Sequence, residues 1–192
     1  YIGAFRKLPG NLQLMTVHAL QSVVFNKSLH ARLAAEHPIS WPIAGDMVGR
    51  IDEKGQLDAS SCVVVEERTL PRIIRNCQLG RLSPTGPLPG TEIKTCEGES
   101  GNIEKNIIEQ MGLSDMDWQV EAIPRLSTRG TRRSLVTSFN ELSVDTVPLA
   151  DDESMGERWK AGPLDNSRWH PDGACIRFRF TLASGSYATT LL

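Results

Sequence analysis

Long hydrophobic runs are missing from these 192 residues: none approaches the roughly 20 apolar positions that cross a bilayer, and no signal-peptide pattern opens the chain. Paired cysteines are missing too. Cys62, Cys77, Cys96 and Cys175 lie far apart with no Cys-x-x-Cys, which excludes a zinc ribbon or a disulfide frame. They read as reduced, mostly buried thiols of a cytoplasmic protein. His18, His30, His37 and His170 are too scattered for a metal motif, so no metal site is expected. With no GxGxxG and no Walker-type loop, no nucleotide cradle can be argued. Ser186 lacks the Gly-x-Ser-x-Gly elbow of a nucleophilic serine. Aromatics are sparse, and the formal charge of −2 gives no global field toward nucleic acid or membrane. Any such attraction must be local.

The ends also lack something. The chain opens Tyr1-Ile-Gly-Ala-Phe5 without a methionine, and it closes on Leu191-Leu192 with no basic last turn, glycine or proline to stop a helix. The expectation is an internal piece of a longer protein.

What is present is an α+β pattern, and its most informative stretch is the last. Ile176, Phe178, Phe180 and Leu182 alternate with Arg177, Arg179 and Thr181, the period of a half-buried strand. A polar turn follows at Ala183-Ser184-Gly185-Ser186, and Ser186 is placed to cap a helix beginning at Tyr187. Strand, glycine turn and capped helix aim side chains and free N–H groups at one spot. Tyr187 either projects there toward a ligand or packs under the helix.

Near the other end, residues from Leu12 to about Glu36 are mostly good helix formers, with Asn11 as a plausible cap and Pro38 as the stop. Leu12, Met15, Ala19 and Val23 make one apolar line at helical spacing, and Leu20, Val24 and Ala31 another, so burial on more than one side is expected. His18 and Gln21 lie between the lines, either as core polar groups with partners or facing a substrate.

Residues 39–67 read as small-domain β structure, with a strand at Met47–Ile51, a hairpin loop at Asp52–Gly55 and a second strand at Cys62–Val65 covered on both faces. A short helix is expected over Leu70–Cys77. Three prolines and three glycines within Gly80–Gly90 argue against a helix or a central strand, leaving a linker or a rigid surface loop. A second helix is expected over Asn102–Met111, with Gly112 as its stop and a solvated acidic face. Ser134–Phe139 and Glu141–Val147 suggest a hairpin around Asn140. Residues 151–173 read as an irregular connection.

Arg125, Arg129, Arg132 and Arg133 fall in an interval without acids, as do Arg68, Arg72, Arg75 and Arg81. Arginine donates two fork-like hydrogen bonds and keeps its charge, which suits phosphates. Interleaved glycine, serine and threonine let backbone N–H groups approach an anion as well. The alternative is a solvated loop whose arginines pair with the acidic helix.

Four phrases together resemble a known family, the TruD tRNA pseudouridine synthases in their archaeal and eukaryotic-like form. They are Met15-Thr-Val-His-Ala-Leu-Gln-Ser-Val-Val-Phe-Asn26, Ser83-Pro-Thr-Gly-Pro-Leu-Pro-Gly90, Leu126-Ser-Thr-Arg-Gly-Thr-Arg-Arg133 and Phe180-Thr-Leu-Ala-Ser-Gly-Ser-Tyr-Ala-Thr-Thr-Leu-Leu192, in the family's order. The resemblance implies that the family's catalytic aspartate and its surrounding block lie upstream of residue 1, so no catalytic residue is expected in the chain. It also implies three parts: residues 1–37 as a helix of the catalytic domain, 38–173 as the insertion (TRUD) domain, and 174–192 as a strand–turn–helix returning to the catalytic domain. The implied fold is a mixed insertion domain plus an incomplete part of the antiparallel-sheet synthase domain. The implied activity is cofactor-free isomerisation of uridine, at position 13 of tRNA, to pseudouridine, with the base taken out of its stack.

By the same resemblance Tyr187 would meet the target base beside Gly185 and Ser186. Arg129, Arg132, Arg133 and Arg81 would meet tRNA phosphates. Two readings of other classes stand beside it: a non-catalytic RNA-binding module that positions RNA for another protein, and a purely structural interaction domain.

Overall fold

The computed structural model describes residues 2–147 and 175–182, and the chain divides between Thr137 and Ser138 into two compact units. In the first unit, a short helix α1 (Ile2–Phe5) precedes the long α2 (Gly10–Ala34). Strands β1 (Met47–Ile51) and β2 (Leu57–Val64), helix α3 (Leu70–Gln78), strand β3 (Leu82–Leu88), helix α4 (Gly98–Gln110) and strand β4 (Thr131–Ser134) follow. In the second unit β5 (Phe139–Val147) pairs antiparallel with β6 (Cys175–Leu182). Helices with antiparallel sheets make the chain α+β, as expected.

α2 starts two residues earlier than the sequence suggested. Pro9 fills the cap position with φ −53, and Asn11 lies within the first turn, so it caps nothing. Proline tolerates the helix start because the donor it lacks would be unpaired there anyway. The helix buries one side only: Val24 and Phe25 are enclosed, whereas Leu12, Met15 and Val23 are 44%, 60% and 43% exposed. The expectation of burial on more than one side is therefore corrected among the described residues. Buried Gln13 sits at the start of α2, where its amide donates to the Leu8 carbonyl of the connection at 2.7 Å and to the Phe5 carbonyl at the end of α1 at 3.2 Å, tying the two helices together.

The sheet order is β2-β1-β3-β4, all antiparallel. β1 and β2 join through the expected hairpin loop, with Gly55 at φ +74. β2 is covered on one face only, since Val63 is 57% exposed while Cys62 is buried. The larger correction is β3. The proline- and glycine-rich stretch is a strand flanked on both sides, because its two halves serve different neighbours. Leu82–Pro84 pair with β1, and Thr85–Leu88 pair with β4. Each partner demands only part of the ladder, so a strand with Pro84 and Pro87 can supply it. Thr85 continues where the β1 pairing ends, its hydroxyl donating to the Met47 carbonyl at 2.9 Å.

Met47, Cys62 and Cys96 form the enclosed apolar centre, with Val64 against them. α4 begins at Gly98 rather than near Asn102, and Gly112 ends it at φ +66 as expected. The expected hairpin around Asn140 does not form: β4 joins β3, and β5 joins β6. Glu141 takes φ +57 at an irregularity in that pairing, which breaks the alternation that suggested a turn.

Candidate RNA interface

Alternation along β4 sends its two adjacent arginines in different directions. Arg132 is 5% exposed, and its guanidinium donates to Glu104 of α4 at 2.5 Å, to the Thr85 carbonyl at 2.8 Å and to the Lys94 carbonyl at 2.8 Å. Its Nε also donates to the Thr85 hydroxyl at 2.8 Å. Burial works against the charge, but Glu104's hydrogen bond and field more than offset it, and the arginine's pKa moves up. The other guanidinium donors being taken, Arg132 has no face for a phosphate, and its expected role in RNA contact is corrected. The pairing of an arginine with the acidic helix, the other reading of the sequence, is what occurs. It also overturns the purely solvated acidic face of α4, since Glu104 is buried.

Arg133 points the other way. Its guanidinium lies 5.5 Å from the centre of the Phe25 ring, half-buried on the side of α2. Arg129 stands on the loop before β4 and is almost fully exposed, with a weak contact to exposed Glu92 at 3.9 Å. Two glycines shape that loop. A side chain on Gly90 would fall 2.0 Å from the Gly130 nitrogen, and Gly130 itself has φ +77. The strands' ends can close only because neither residue carries a Cβ.

Gln21 completes the closure. Its amide donates to the Pro89 carbonyl at 2.8 Å and to the Thr128 hydroxyl at 3.3 Å, so α2 grips both loops at once. Gln21 is thus the core polar group with partners that the sequence allowed, while His18 is exposed.

Arg81 is not brought to this place. It precedes β3, whereas Arg129 lies beyond the strand's other end, and seven strand residues measure roughly 20 Å. Arg81 instead lines an open groove of about 570 Å³ with Arg50 of β1 and Arg72 of α3, which sequence reasoning did not combine. Gly185, Ser186 and Tyr187 lie outside the described residues. β6, which leads toward them, carries exposed Phe178 and Arg179.

Comparison with known proteins bears on this arrangement as a whole. The sequence matches the family described as tRNA pseudouridine synthase D (TruD) over residues 1–192. The chain belongs to the TruD family. It is 33% identical, over its whole length, to a probable tRNA pseudouridine synthase D of Methanosarcina mazei, of which it covers 40%. It is 31% identical over 199 aligned residues to a protein of the same description from Halobacterium salinarum, covering 99% of this chain and 39% of that one. A crystal structure of a TruD-family protein from Methanosarcina mazei superposes with a TM-score of 0.77 at 30% identity, over 99% of this chain and 39% of that one. The chain thus spans about two fifths of the length of the TruD relatives it matches.

Proposed function

We propose that this chain is part of a tRNA pseudouridine synthase that isomerises uridine at position 13 of tRNA, in the cytoplasm, with the catalytic aspartate on polypeptide outside residues 1–192. The observation that carries the reading is the family match across all 192 residues, which takes in every one of the four sequence blocks. In this proposal residues 1–37 and 174–192 belong to the catalytic domain and 38–173 to the inserted domain. The uncovered apolar line Leu12, Met15 and Val23 on α2 supports it, since such a line suits a helix with a further packing partner.

In the same reading, β6 delivers the Gly185-Ser186-Tyr187 turn to the extruded uracil, and Tyr187 offers the base its ring. Arg129 and Arg133 near the Gly90–Gly130 closure meet phosphates, and Arg81 meets phosphates elsewhere on the RNA. No metal or small-molecule cofactor takes part.

The test is conversion of uridine in tRNA by the full-length protein, read at position 13 by chemical labelling and primer extension. The isolated 192-residue chain is run beside it and should leave uridine unchanged. Conversion by the isolated chain would place the nucleophile inside it and refute the assignment. Binding of tRNA without conversion by the full-length protein would favour the RNA-positioning module.

A further inference from the structure

The groove that holds Arg81 lies between β1, β2 and α3, and it gathers arginines that are far apart in the sequence. Arg50 comes from near the end of β1, Arg72 from the first turn of α3 and Arg81 from the approach to β3. Fold geometry explains the gathering. Arg50 pairs in register with Leu82, so the residue before Leu82 lies next to it, and Arg72 and Asn76 share one helix face at i, i+4 spacing.

All three arginines are exposed. The side chains of Arg72 and Arg81 make no hydrogen bond or ion pair among the described residues. Two acids lie near these arginines. Glu66, which also lines the groove, is bonded to Arg68, and Asp58 accepts from the backbone and hydroxyl of Ser60 while it feels Arg50. Arg72 and Arg81 are thus left without a carboxylate partner among the described residues; two like charges held together repel one another, and an anion relieves that.

The floor and shape narrow the anion down. Val63 is 57% exposed there, and Ile51, Ile73 and Leu82 are half-buried, so apolar surface lines the groove alongside the arginines. A compact phosphate would leave that floor wet. A nucleic-acid strand would cover it with ribose while its phosphates reach the arginines. Among the described residues no aromatic side chain lines the groove, so none of them stacks on a base there. Contacts to phosphate and sugar position an RNA but do not read its sequence.

We propose that Arg50, Arg72 and Arg81 form a backbone-reading groove for RNA, separate from the Arg129 loop, which holds the tRNA substrate without selecting its sequence. This rests on the reading of the protein as a tRNA-modifying enzyme and names the groove through which part of the tRNA would be held.

The experiment measures binding of unmodified tRNA transcript to the full-length protein from low to moderate salt, for wild type and for Arg72→Ala/Arg81→Ala. The variant is expected to bind about tenfold more weakly, and its log-affinity against log-salt slope should be shallower by roughly 1.4 to 1.8, the value for two lost phosphate contacts. The loss should be equal for two tRNAs of different sequence. An unchanged affinity and slope, with circular dichroism showing a folded variant, would overturn the groove. A loss confined to one tRNA would overturn its backbone-reading character. A tRNA-independent loss of binding to an acidic protein, with RNA binding intact, would assign the groove to a different partner and overturn it as well. Pseudouridine formation by the wild type is scored separately. If it is absent while the salt slope still falls in the variant, the enzymatic reading fails and the RNA groove stands.

Discussion

Glu104 of α4 and Arg132 of β4 meet inside the fold at 2.5 Å, each almost fully shielded from water, and Cys96 joins them with its thiol 3.2 Å from both. A second buried pair, Arg32 and Asp46, lies across a cavity of about 20 Å³ that Ser28 and Ser100 also line. The Arg32 fork bonds both Asp46 oxygens at 2.7 Å, and its Nε donates to the Pro38 carbonyl. Removing one member of such a pair leaves the other charged and dry, which costs about 3–5 kcal/mol. Glu104→Gln is therefore expected to destabilise strongly, while the double change Glu104→Leu with Arg132→Met should cost much less than the two single changes together. Urea unfolding of the single and double variants decides it; additive losses would mean that the charges do not depend on one another.

The same cluster predicts an alkaline weakness. Burial, and then the field of Glu104, push the Cys96 thiol up to about 12. Burial also pushes Cys77 up to about 11 and raises Cys62. An unfolded thiol ionises near 8.5, at about 1.4 kcal/mol per pK unit of difference. Because the folded state keeps its proton longer, stability is unaffected below that value and falls as pH rises between it and the folded pKa. Cys96→Ser removes this ionisation while keeping a donor near Glu104. Denaturant melts between pH 8 and 10.5 should show a shallower alkaline decline for the variant. Equal slopes in both proteins would exclude Cys96 as the cause.

A third expectation concerns how the Arg129 loop is held. Gln21 bonds both Pro89 and Thr128, and the Gly90–Gly130 contact leaves no room for a Cβ. Gln21→Met keeps the volume but strands the Pro89 carbonyl, at a cost of about 1–3 kcal/mol. Gly90→Ala overpacks the closure, for which about 1–3 kcal/mol is usual, and pushes the 129–130 backbone away. Both should lower tRNA affinity without removing any charge. Thermal melts combined with filter binding would separate the effects, and normal affinity in a destabilised Gly90→Ala would show that the loop's position is immaterial.

These residues also show where sequence reasoning reaches its limit. The helices α2, α3 and α4 and the β1–β2 hairpin were legible because propensity, periodicity and turn glycines are local. β3 was not. Proline argues against a central strand, and only the tertiary hand-over of its halves to β1 and β4 removes the conflict. Arg132 and Arg133 look alike in sequence, and their separation by strand alternation needs the register with Thr85–Leu88. Pairing of an arginine with the acidic helix was open in the sequence, but nothing singled out Glu104, since an acidic residue on an amphipathic helix ordinarily faces water. The arginines of the groove come from three elements, which no linear spacing joins. The strand, glycine turn and helix start around Tyr187 were read from the residues, whereas its contact with the target base was read through family resemblance alone.

The last expectation separates an arginine that binds from one that folds. Arg129 is exposed, and among the described residues its side chain is held only by a weak pair with Glu92 at 3.9 Å, which contributes little to stability. Arg129→Ala should leave the melting temperature within experimental scatter yet reduce the salt slope of tRNA binding by close to one phosphate's share, roughly 0.7 to 0.9. Arg133→Ala should do both in part, because its stacking on Phe25 contributes about 0.5–1 kcal/mol beyond any phosphate contact. Arg132→Ala should do the reverse of Arg129→Ala: a large loss of stability, with an unchanged salt slope for the protein that remains folded. Slopes measured on the three variants at a temperature below every melting transition give the ordering directly. A reduced slope for Arg132→Ala would mean that the buried guanidinium leaves Glu104 to meet RNA, and would reverse the assignment made from its hydrogen bonds.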